Sequence, residues 1–219
     1  MEKPNITKEC LETVTENRFF SMVDIQYAQG KHYYTTSRHK PADIVAVKSD
    51  EEFKNMYADA VTCFVILKTA GEEPKLLLTR EFRYPTGRFL TSPPAGLMDP
   101  EDKNSANPLF STAVREIKEE TGIDVKETDK LIEVSPLAFS SPGMTDESNA
   151  LVCAVIDLAD YSSLSQDGAE GSECFNGFIM LTKTEAKEML LAGKDSDGIF
   201  YSIYTWAALM YFISGLWEE

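Results

Sequence analysis

LFSTAVREIKEETGI, residues 109–123, carries two patterns on one stretch of chain. Leu109, Ala113 and Ile117, with Val114 beside them, recur at helical spacing and offer one side for burial. The helix runs from Leu109 to Thr121, and Gly122 follows where a left-handed cap ends a helix. Glu116, Glu119 and Glu120 stand at i, i+3 and i+4, so they share a second face within about one turn. Like charges so placed repel one another. A hard divalent cation reverses that sign, because Mg²⁺ takes oxygen ligands and keeps room for waters and phosphates. Taken alone, such a cluster is more often the solvated face of a Glu-rich surface helix.

Outward from this helix the chain reads as strands and helices without regular alternation. Upstream, Val61–Lys68 and Lys75–Phe82 are apolar runs joined by the turn TAGEEP, which predicts a hairpin in a buried sheet. Residues 84–100 are rich in Pro and Gly and read as loop. Downstream, strands are expected near Leu131–Phe139, Ala150–Ile156 and Phe178–Leu181. Thr182 and Glu185 form a capping box ahead of a helix over Glu185–Leu191, closed by Gly193. Near the start, residues 19–27 and 31–37 read as a hairpin around Ala28-Gln29-Gly30, and Asp43–Lys48 as a third strand. The charged stretch Ser49–Asp59 is a short helix or linker. The expected division is a small β lobe over residues 1–57 and a main domain over 58–219. This mixture predicts an α+β, layered sandwich.

Composition narrows the function classes. The chain has 219 residues, 43% hydrophobic and 26% charged, enough to bury a core without staples. Lys and Arg total 21 against 36 Asp and Glu, a formal net charge of -15. That field repels a phosphate backbone, so no nucleic-acid partner is expected. An anionic substrate needs local neutralisation by a metal or a few placed arginines. Cys10, Cys63, Cys153 and Cys174 have no paired ligand spacing, so reduced thiols in a cytoplasmic protein are expected rather than a zinc site. The first twenty residues lack an apolar signal segment. Residues 199–217 carry no charge and approach the length of a membrane span. Their polar content and acidic flanks favour a buried C-terminal helix and no membrane partner.

Residues 115–123, Arg-Glu-Ile-Lys-Glu-Glu-Thr-Gly-Ile, resemble the second half of the Nudix hydrolase signature at every position it specifies. That signature is Gly, five residues, Glu, seven residues, then Arg-Glu-aliphatic-any-Glu-Glu-any-Gly-aliphatic. Its first half departs here. The isolated Glu falls at Asn107, and the signature Gly, Gly96, lies five residues early, so PEDKNSAN reads as an insertion. Glu101 is the acid the sequence offers for similar space. Arg80-Glu81-Phe82-Arg83-Tyr84-Pro85, Pro94-Ala95-Gly96-Leu97-Met98-Asp99 and Ser140-Ser141-Pro142-Gly143 are similar to the ADP-ribose and ADP-sugar pyrophosphatase branch, although Ser92 stands where a Glu is common.

The resemblance implies a Nudix-type α/β/α sandwich with a mixed sheet, plus a small N-terminal antiparallel β lobe that helps form a homodimer and part of the nucleotide pocket. It implies Mg²⁺, with Mn²⁺ accepted by the same oxygen set. The metal ligands would be Glu116, Glu120, the Ala95 carbonyl and, through water, Glu119. Arg80 and Arg83 would meet the diphosphate, and Glu147 the terminal sugar. Arg115 would brace the glutamates. The catalytic base would come from the loop Gln166–Asn176, where Glu173 is favoured over Glu170, each of which reads equally well as a solvated loop acid. The implied reaction is hydrolysis of ADP-ribose or a related nucleoside diphosphate sugar to AMP and a sugar phosphate. The rival reading is a Nudix fold that binds a nucleotide as sensor or scaffold, favoured by Asn107, Ser92 and the insertion.

Overall fold

The computed structural model describes residues 3–169 and 171–219. The chain divides into two compact units, Met1–Asp59 with Leu137–Asn149, and Ala60–Pro136 with Ala150–Glu219.

In the first unit, β1 (Leu11–Glu16), β2 (Ser21–Ala28) and β3 (Lys31–Ser37) form an antiparallel sheet in that order. The hairpin over residues 19–37 is present, turning at Gly30 with φ 66. The strand β1 escaped the sequence reading because five of its six residues are exposed and its alternation carries little apolar weight. Asp43–Lys48 is not a third strand but two single 3-10 turns, Pro41–Asp43 and Val45–Val47. Pro41 has no N–H to give a ladder, and the Val45 N–H donates to the Asp146 carboxylate at 2.8 Å. Ile44 then drops into a small core with Val23 and Ile25. The short helix α1 (Asp50–Lys54) follows, capped at Ser49 by a capping box with Glu52.

Among the described residues, a mixed sheet is built on β4 (Ala60–Thr69), β5 (Lys75–Arg83), β6 (Arg88–Ser92), β7 (Ala95–Leu97), β8 (Lys130–Phe139), β9 (Ser148–Leu158) and β10 (Phe175–Leu181), all in the second unit except the end of β8 and the start of β9. Its order is β10-β5-β4-β9-β8, with β6 on β5 and β7 on β4. The stretch 84–100 read as loop therefore contains two strands. A turn at Gly87, φ 61, folds β6 back onto β5, and after Pro93-Pro94 the chain pairs with β4 instead. The Pro94 carbonyl accepts from the Cys63 N–H at 2.7 Å, so prolines without donors still anchor β7 beside β4.

Among its described residues, three α-helices complete this unit: α2 (Pro108–Thr121), α3 (Lys183–Ala192) and α4 (Ile203–Ser214). The capping box at Thr182 and Glu185 is present, and Gly193 ends α3 at φ 66. The last helix begins at Ile203 rather than Ile199, because the Ser202 hydroxyl caps the Thr205 N–H. Phe64, Ile66, Leu76, Leu78, Leu209 and Phe212 form the centre of its core against α3 and α4. Among the described residues no helix is long and apolar enough to cross a membrane.

Candidate active site on the glutamate helix

Helix α2 is fixed at both ends. The Asn107 side chain accepts from the Phe110 N–H at 3.2 Å, Pro108 stands in the first turn, and Gly122 closes the helix at φ 76. Leu109, Ala113 and Ile117 are buried as expected. Two of the glutamates, however, are not on a solvated face. Glu116 is 4% exposed and Glu120 2%. They adjoin the apolar stripe, and β7 covers them. The Ala95 N–H donates to Glu120 Oε1 at 2.9 Å. A Cβ added to Gly96 would lie 1.9 Å from Glu116 Oε1, so this carboxylate can rest against the strand only because residue 96 has no side chain.

Such burial is costly for anions. Burial pushes the Glu116 carboxyl up to about 7, with repulsion from Glu119 and Glu173 adding to it and Arg115 opposing it. Burial also drives Glu120 well above the carboxylate range; the Ala95 N–H opposes this, while Glu81, Glu116 and Glu173 reinforce it. Glu120 Oε2 is buried with no hydrogen-bond partner.

Arg115 lies across the cluster. One guanidinium nitrogen donates to Glu116 Oε1 at 2.7 Å and Glu119 Oε2 at 3.0 Å. The other donates to the Leu97 carbonyl at 2.8 Å and Asp102 Oδ2 at 3.0 Å. Burial opposes charge on Arg115, but these acids outweigh it and raise its pKa. Burial likewise pushes Asp102 up, and Arg115, the Asp99 N–H and the Thr112 hydroxyl together hold it below the ordinary range.

Among the described residues, no three His, Cys, Asp or Glu side chains are gathered closely enough to hold a metal by themselves. The site nonetheless fits a divalent cation. It offers hard carboxylate oxygens, one of them buried and unpartnered, and Mg²⁺ needs few side chains because it retains waters and substrate phosphates. Glu116 and Glu120, with the half-covered Glu119 at the rim, are the side chains that could hold it.

The other expected residues are placed unevenly. Glu173 is exposed in its loop, yet its charge is felt at Glu116, Glu120 and Glu81. The start of that loop packs on the end of α2: Ser165 N–H donates to the Thr121 carbonyl at 3.0 Å, and a Cβ on Gly168 would meet the Glu119 carbonyl at 2.5 Å. Glu170 lies outside the described residues. Arg83 pairs with Glu81 at 2.6 Å, and Arg80 with Asp197. Glu147 lies in the first unit, paired with Arg38. Ser92 is buried in β6. Two acids were missed. Glu81 is raised by burial and by Glu173, against Arg83; only its place in the Arg-Glu-Phe-Arg motif pointed to it. Asp102 sits in the insertion, one residue after the Glu101 that the sequence offered for that space.

A family model described as the NUDIX domain matches residues 56–195. The chain belongs to the Nudix family. Within that family it is 36% identical to an ADP-ribose pyrophosphatase of Saccharomyces cerevisiae, over 54% of this chain and 49% of that protein. It is 26% identical to an ADP-sugar pyrophosphatase of Mus musculus, over 60% and 56%. The chain thus spans about half the length of the first curated relatives it matches. The crystal structure of an ADP compounds hydrolase shares the fold, with a TM-score of 0.61 and 20% identity over 100% of this chain and 96% of that one.

Proposed function

We propose that this Nudix protein hydrolyses the pyrophosphate bond of ADP-ribose or a related nucleoside diphosphate sugar, giving AMP and a sugar phosphate. The observation that carries this reading is the buried pair Glu116 and Glu120, one oxygen unpartnered, held under a glycine strand on the family's helix. The named relatives act on ADP-ribose and ADP-sugars, which supports the substrate class. Mg²⁺ or Mn²⁺ bound there supplies positive charge to the diphosphate and acidifies a water for attack on phosphorus.

The chain's own residues do the remaining work. Glu116 and Glu120 hold the cation, with Glu119 at the rim and the Ala95 carbonyl as a further oxygen. Arg83, released from Glu81, and Arg80, released from Asp197, meet diphosphate oxygens with their planar forks. Glu173 takes the proton of the attacking water, a role worth roughly 10²–10⁴-fold, with Glu170 as the other loop acid. Glu147 meets the terminal sugar. The lobe over residues 1–57 contributes to a homodimer and to the nucleotide pocket; exposed Val14, Phe19, Phe20 and Tyr34 support a partner surface there. Four unpaired cysteines suit a cytoplasmic setting.

The test is hydrolysis of ADP-ribose, ADP-glucose, GDP-mannose and NADH with Mg²⁺, for wild type and Glu120→Gln. Turnover of ADP-ribose should fall on the order of 10³-fold in the variant, as several kcal/mol of charge stabilisation are lost. Binding of ADP-ribose without turnover of any substrate would replace this reading with the sensor.

A further inference from the structure

The acid that the family spacing places at residue 107 is absent, and Asn107 is committed to capping the Phe110 N–H. A different acid reaches the helix. The insertion turns through a 3-10 segment at Asp102–Asn104, and Asp102 Oδ2 accepts from Arg115 at 3.0 Å and from the Thr112 hydroxyl at 3.0 Å. The Asp99 N–H donates to the same oxygen at 3.2 Å. Asp102 is therefore held by its own loop and by α2 independently of Arg115, and its side chain is only 11% exposed. Glu101, one residue earlier, is exposed.

We propose that Asp102 is the positioning residue of this site, acting through Arg115 on Glu116 and Glu119. The inference rests on the cation reading of those glutamates. Its physical basis is the division of the Arg115 fork. Asp102 and the Leu97 carbonyl hold one nitrogen, which leaves the other to set the two glutamate carboxylates from a fixed point. Without Asp102 only the Leu97 carbonyl and the more distant Asp99, at 3.6 Å, remain on that side, so the Arg115 fork is no longer fixed and turns across Glu116 and Glu119. There it competes with a divalent ion for the same oxygens.

Two readouts test this on the whole chain. The first is Mn²⁺ affinity of folded protein for wild type, Asp102→Ala, Asp102→Glu and Glu101→Gln. Asp102→Ala should weaken Mn²⁺ about 10-fold or more, the usual scale for a residue that orients ligands. Asp102→Glu should recover most of the loss, and Glu101→Gln should match wild type. The second needs no metal: restricted rotation of the Arg115 guanidinium, read from its side-chain ¹⁵N signals, should be present in wild type and lost in Asp102→Ala. Unchanged Mn²⁺ affinity in folded Asp102→Ala, or an Arg115 as restricted as in wild type, would overturn the proposal. Wild type that binds no Mn²⁺ but shows the Arg115 change would instead sink the cation reading and leave Asp102 as the anchor.

Discussion

Gly96 shows how a single hydrogen in place of a methyl group decides where charge can be stored. Its missing Cβ is the space that Glu116 fills, with 1.9 Å between that point and Oε1. Gly96→Ala must push the carboxylate out or the strand back, and the overpacking is expected to cost about 1–3 kcal/mol. A urea midpoint measures this; an unchanged midpoint would show that β7 yields freely. At this scale the sequence was only partly legible. Glu116, Glu119 and Glu120 were visible as one cluster, but the sequence could not show that two of the three are buried. Helical spacing fixes which residues share a face, whereas burial depends on which strand lies over it. Here that strand is the one hidden among prolines and glycines.

At the scale of the element, α2 was readable because every local preference agrees: an apolar stripe, Pro108 in the first turn and Gly122 at its end. Asn107 adds a cap, its side chain accepting from the Phe110 N–H. Asn107→Ala should therefore cost about 1 kcal/mol through the lost cap, while Mn²⁺ affinity stays at the wild-type value because Asp102 holds Arg115. Denaturation with a parallel Mn²⁺ titration separates the two. The segments that misled are those where side chains took over backbone partners. Asp43–Lys48 has strand-forming residues, but Pro41 and the Asp146 carboxylate divert its chain into turns. Phe200 and its neighbours continue an apolar run, yet the Ser202 cap starts the helix later.

On the scale of the molecule, a chain with formal net charge -15 has gathered two of its acidic side chains into a buried pair on one helix. The α+β class and the N-terminal hairpin followed from local patterns. The return of Leu137–Asn149 to the first unit did not, since no local pattern marks where a continuous strand changes its neighbours. The cluster gives the whole protein a pH dependence of definite sign. Glu116 has a folded value of about 7, above the 4.5 of an ordinary Glu. The metal-free folded state therefore holds an extra proton between those values and loses stability as pH rises through them. A cation needs the deprotonated carboxylate, so its affinity must fall as pH drops below about 7.

The most direct measurement is Mn²⁺ affinity at pH 8 and pH 6, for wild type and Glu120→Gln. If Glu116 and Glu120 form the cation site, wild type binds more tightly at pH 8 than at pH 6, and Glu120→Gln loses that tight site at both. Equal binding by the variant, or tighter binding by wild type at pH 6, would contradict it.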